Sequence, residues 1–159
     1  MKKQLFTNAT AFVALAFAGF GSAYAQSNSP ACNNKLIAGN YAFTVQGTKL
    51  SGAGPTGPMV GVAMTKFDGK GNLSQIDTVT VDGEVVADWT HPRATGTYSV
   101  SSDCTGTFTI NFKDMRPTVI TNFVVTAEGD EIDTVVISAG GDQGILATGS
   151  IGKRRSSTR

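Results

Sequence analysis

The chain has 159 residues, with 13 Lys+Arg against 12 Asp+Glu and only two cysteines and one histidine. Setting aside Lys2 and Lys3 at one end and Lys153, Arg154, Arg155 and Arg159 at the other, acids clearly outnumber bases. An acidic body without a basic stripe argues against nucleic acid as the main partner, and one histidine with two cysteines offers too few soft ligands for a metal centre.

In chain order, Lys2 and Lys3 precede an apolar run from Ala11 to Phe20, and Ala23-Tyr24-Ala25 supplies small residues in an A-x-A pattern. This predicts a secretory signal peptide over 1–25, cleaved between Ala25 and Gln26. The run is too short for a membrane span, which needs about 20 apolar residues, and no later segment is apolar enough to cross. The expected product is secreted or periplasmic, one domain over 26–152 followed by a basic, disordered tail over 153–159.

After the signal the pattern has period two. In "NYAFTVQG" Tyr41, Phe43 and Val45 share a side, and in "TGTFTINF" Phe108, Ile110 and Phe112 oppose Thr107, Thr109 and Asn111. Turn signals separate such runs: "FDGKGNL", "VDGEV", "SSDCTG", "AEGDEI" and "SAGGDQG". Strands are therefore predicted near 40–47, 59–67, 73–81, 84–89, 94–100, 105–112, 118–126, 131–138 and 144–151. Short connections between successive strands favour an up-and-down antiparallel β-barrel of eight or nine strands, with a β-sandwich as the alternative. Closure also removes exposed strand edges.

The cysteines follow from the compartment. In an exported chain Cys32 and Cys104 read as one disulfide, contributing roughly 4 kcal/mol by restricting the unfolded chain. The segment "DGKGNLSQID" alternates Asp68, Lys70 and Asn72, but a calcium loop needs oxygen ligands where Lys70 stands and glycine where Leu73 stands. It reads as a hairpin turn, and no metal or other cofactor is expected.

Strand 73–81 carries the most informative irregularity. Leu73, Val79 and Val81 share a side with Gln75 and Asp77. If that side faces inward, the two polar groups need partners from other strands, water or a ligand; the other reading is a solvated pair. "DWTHPR" brings Asp88, His91 and Arg93 together on a loop with the only tryptophan, Trp89, which serves either as a plug at one barrel end or as a stacking surface. No paired catalytic carboxylates, nucleophile elbow or phosphate loop occurs, so no catalytic residue is assigned.

The segments "IAGNYAFTVQG", "KFDGKGNLSQIDTVTVDGEVV" and "ATGTYSVSSDCTGTFTI" resemble a group of small, uncharacterised secreted bacterial proteins. Their strand-turn rhythm is similar to calycin-type and allene-oxide-cyclase-like barrels, which implies a lumen able to hold small apolar or amphipathic molecules. Gly39-Asn40-Tyr41 resembles the Gly-x-Trp start of lipocalins with Tyr41 in place of Trp, and also the opening strand of avidin-like barrels, as does Gly96-Thr97-Tyr98. A single tryptophan departs from the several that line an avidin-like biotin pocket. The function expected is noncatalytic binding of a small apolar or amphipathic ligand, with Tyr41, Gln75, Asp77, Trp89 and Tyr98 as candidate site residues. The alternatives are a structural or adhesive module with a solid core, and a barrel isomerase or cyclase using Asp77 or the Asp88/His91 pair as base.

Overall fold

The computed structural model describes residues 31–114, 116, 118–139 and 146–156. The proposed signal peptide and residues 157–159 of the proposed tail lie outside them. The order is β1 (Gly39–Lys49), β2 (Gly57–Phe67), β3 (Asn72–Val81), β4 (Glu84–Ala87), β5 (Ala94–Val100), β6 (Thr105–Asn111), β7 (Val119–Thr126), β8 (Glu131–Ala139) and β9 (Leu146–Arg154). The only helical element among the described residues is a 3₁₀ turn, Ala127–Gly129. No helix there is long and apolar enough to cross a membrane.

Every pairing is antiparallel, and the ring runs β1-β2-β3-β5-β6-β7-β8-β9 and back to β1. The fold is thus a closed eight-stranded barrel, not a sandwich, with β4 as an extra strand. β4 is a short return that pairs with the last residues of β3, Val79 to Val81. Below it β3 pairs with β5 only over Asn72–Gln75. The β3–β5 ladder therefore stops halfway up the wall.

Turn chemistry explains the connections. Asp82 and Gly83 both take positive φ, 50° and 84°, as a two-residue hairpin between twisted strands requires. Asp68 organises the β2–β3 turn by accepting from the amides of Lys70 (2.7 Å) and Asn72 (2.9 Å) and from the Asn72 side chain (2.8 Å). Those bonds, led by the Asn72 side chain, hold its carboxyl down to about 2. This is the turn reading of "DGKGNL", with Asp68 turned to its own loop.

An eight-stranded barrel is just wide enough either to be filled by side chains or to hold one small molecule. Here the two ends differ. Call the end holding the β2–β3, β5–β6 and β7–β8 turns the base. Tyr41, Phe67 and Tyr98 meet edge to face there, with ring centroids 5.5 and 4.9 Å apart, and above them Phe108 stacks on Phe123 and meets Phe43 edge to face. Two of these rings lie over glycines directly across the ladder: Phe123 over Gly106 and Phe43 over Gly152. A Cβ on Gly106 would fall 2.2 Å from the Phe123 ring, and one on Gly152 would fall 2.3 Å from Phe43. The glycines make room for rings that fill the base.

Residues 32–38 seal the base from outside. Ile37 is fully buried, and the Asn34 side chain accepts from the Val100 amide at 2.8 Å. Cys32 is bonded to Cys104, with Cα atoms 5.0 Å apart, so the disulfide fastens this segment to the β5–β6 turn. Arg154 donates to the carbonyls of Leu36 and Gly129 (2.9 Å to the latter) and to the Tyr41 hydroxyl (2.8 Å). This corrects the expected limits of the last strand and tail. β9 runs to Arg154, so Lys153 and Arg154 belong to the wall, with Lys153 3.5 Å from Glu131. A charged residue at an inward position hid the strand's continuation, because the alternation lacks its apolar member.

Candidate functional site

Toward the other end several inward residues are small, Val45 on β1, Ala63 on β2, Val79 on β3 and Val136 on β8, although Met59, Ile110 and Phe112 also line this half. The lumen is correspondingly empty there, with a cavity of about 630 Å³. Phe43 and Phe108 belong both to the packed core and to the cavity lining, and so form its floor. The rim is built from Lys49 at the end of β1, Ala53, Gly54 and Pro55 of the β1–β2 connection, Val86, His91, Phe112, Asp114 and Arg116. A volume of several hundred Å³ with mostly apolar walls and a few placed polar groups is the usual form of a small-molecule site.

The polar groups lie on two opposite walls. On one, Gln75 and Asp77 of β3 point inward, 8% and 6% exposed, so the solvated-pair reading does not hold. Gln75 accepts from the Thr65 hydroxyl, its cross-strand neighbour, at 2.8 Å. Asp77 receives Nη1 of Arg116 on both carboxylate oxygens at 2.9 Å. Nε of Arg116 donates to both oxygens of Asp114, at 3.0 and 2.9 Å, and its guanidinium carbon sits 4.0 Å from the Phe112 ring centroid. Arg116, from the β6–β7 connection, thereby reaches β3 two residues beyond its last pair with β5 and bridges the wall where the ladder has stopped.

Four strands away around the ring in either direction, β8 presents Thr134, flanked by Thr121 of β7 and by Thr148 and Ser150 of β9. Thr134 and Ser150 hydroxyls are 2.5 Å apart. Between these polar walls the lining is aliphatic or aromatic. Such a lumen suits a molecule with an apolar body and oxygen or nitrogen functions at its edges.

The five candidate residues separate. Gln75 and Asp77 line the cavity. Tyr41 and Tyr98 lie in the packed base: Tyr41 donates to the Gly129 carbonyl, while the Tyr98 hydroxyl accepts from the Gly69 amide at 2.8 Å and donates to the Asn34 carbonyl at 3.1 Å. Burial pushes both phenols above their ordinary range. Trp89 is 54% exposed and outside the lining, neither plugging the barrel nor facing its interior. In the neighbouring loop His91 Nδ1 is 3.3 Å from the Asp88 carboxylate and 3.2 Å from the Asp88 amide. Hydrogen bonds from Thr90, then His91, hold the Asp88 carboxyl below its usual range.

Among the polar lining residues that the sequence did not single out are Arg116, Asp114 and the hydroxyls of Thr121, Thr134, Thr148 and Ser150. "KDMRPT" carries a signal only in retrospect, as an acid–x–Arg on a connection long enough to fold over the mouth. Among the described residues no group of three or more His, Cys, Asp or Glu is arranged to hold a metal. The chain matches no protein family, no curated protein and no solved structure.

Proposed function

We propose that the mature protein, exported through a cleaved signal peptide to the periplasm or exterior, binds a small apolar or amphipathic molecule in the upper half of its barrel. One observation carries the reading: an eight-stranded barrel whose base is filled by six aromatic rings keeps about 630 Å³ of mostly apolar space above them. The disulfide is consistent with an oxidising compartment. The resemblance of the sequence's strand-turn rhythm to calycin-type and allene-oxide-cyclase-like barrels points the same way and brings no residue assignment. A catalytic reading has less support, since both oxygens of Asp77 are held by Arg116 and the Asp88–His91 pair sits at the rim.

Exposed aliphatic side chains on the outer wall, Val60 and Val62 of β2, Val135 and Ile137 of β8 and Ile151 of β9, favour the adhesive-module reading as second choice. Native mass spectrometry of the oxidised protein from its own host separates the two. An added mass released by denaturation supports lumen binding. A bare mass, together with no uptake of apolar probes, favours the module.

A further inference from the structure

The cavity pairs its charges. Its described lining holds two acids, Asp77 and Asp114, and two bases, Arg116 and Lys49. Arg116 has a carboxylate on each of two edges and the Phe112 ring on its face. Lys49 donates its Nζ to the neutral carbonyl of Ala53 and keeps its charge, but it stands at the exposed rim, away from Arg116 and its two acids. His91, also at the rim, is engaged with the carboxylate and amide of Asp88. Both acids are mostly buried, with side-chain exposures of 9% and 19%.

A ligand carboxylate, phosphate or sulfonate entering this lumen would lose its hydration beside two carboxylates that already neutralise the guanidinium. Burying an anion beside Arg116, where the one cation already faces two carboxylates, is strongly unfavourable. A neutral oxygen or nitrogen meets no such obstacle. Nη2 of Arg116 has no acceptor among the described residues, and the hydroxyls of Thr121, Thr148 and Ser150 offer both donors and acceptors. Resting on the lumen-binding reading, we infer that the barrel selects uncharged hydrogen-bonding ligands over anionic ones, and that Asp77 and Asp114 determine this selectivity by occupying Arg116. Removing one carboxylate frees the guanidinium to hold an anion in bidentate fashion.

The test uses two fluorophores of identical skeleton, neutral N-phenyl-1-naphthylamine and its anionic sulfonate, 1-anilinonaphthalene-8-sulfonate. They are titrated into the oxidised wild type, Asp77→Asn and Asp114→Asn, with near-ultraviolet circular dichroism verifying the fold of each. The expected result is wild-type affinity at least tenfold higher for the neutral probe, and a gain of at least tenfold for the sulfonate relative to it in either variant. Asp114→Asn, more exposed, serves if Asp77→Asn does not fold. Equal affinities in the wild type, a wild-type preference for the sulfonate, or unchanged selectivity in the folded variants would overturn the inference and leave lumen binding standing. Binding of neither probe to any of the three proteins would overturn both, and binding undiminished by Ala63→Trp, which fills the cavity, would also place the probes outside the lumen.

Discussion

Phe67→Ala set beside Val79→Ala measures directly whether one half of the barrel is solid and the other hollow. Phe67 is 1% exposed and makes edge-to-face contacts with Tyr41 and Tyr98, with a third ring, Phe108, 6.2 Å away. Its removal leaves a void that the rigid strands cannot collapse into, costing roughly 4 kcal/mol within the usual 3–5 for such truncations. For a domain of this length each kcal/mol lowers Tm by about 4 °C, giving a fall near 15 °C. Val79 also points inward, but against the cavity. Its truncation enlarges an existing space and forfeits only partial burial, about 1 kcal/mol or less. Guanidinium unfolding of the oxidised protein at constant m reports both values. A Phe67→Ala cost below about 1.5 kcal/mol, or costs for the two variants within about 1 kcal/mol of each other, would refute the division into a packed base and an empty upper lumen.

Replacing both cysteines by serine opens a link spanning 72 positions and is expected to cost about 4 kcal/mol, matched by wild type under reducing conditions in the same denaturant titration. Tyr41→Phe removes a buried donor to the Gly129 carbonyl and an acceptor for Arg154, while Arg154 still holds Gly129 and Leu36; unfolding should show a loss of about 1–2 kcal/mol. Asp68 has its folded carboxyl depressed to about 2 from 3.8, so its stabilisation is fully present above about pH 4 and is lost as pH falls toward 2. Melting temperatures of wild type and Asp68→Asn between pH 6 and 2 should therefore converge at the acid end, and a gap independent of pH would contradict this.

The strands were legible because half-buried sheet imposes alternation, and "TGTFTINF" or "NYAFTVQG" cannot satisfy it in any other period. Closure followed from the short turns. Strand parity fixes which side of the wall a residue takes but not its height along the barrel axis. Height comes from register around the whole ring, which no single segment encodes. That is why Gln75 and Asp77 were found, while Tyr41 and Tyr98, equally inward, belong to the packed base. Aromatic character was a poor guide for Trp89, whose loop turns it to solvent. Arg116 and Arg154 escaped for one shared reason: each reaches partners far away in sequence, Asp77 lying 39 positions from the first and Leu36 118 from the second. A cation that closes a structure at long range looks locally like a solvated charge.

The interrupted ladder beside Asp77 bears on how this barrel can move. Elsewhere around the ring, neighbouring strands are fastened by successive backbone hydrogen bonds, although the β8–β9 ladder too stops short, its last pair being Val135 and Gly149. Beyond Gln75, β3 is laddered to β4 instead of to β5, and Arg116 reaches across from the β6–β7 connection. This seam lacks backbone pairing above Gln75, and there the fastening is an ion pair between side chains. The same contact that sets the charge of the lumen is also a clasp on its wall, so composition and aperture cannot be altered independently at this position.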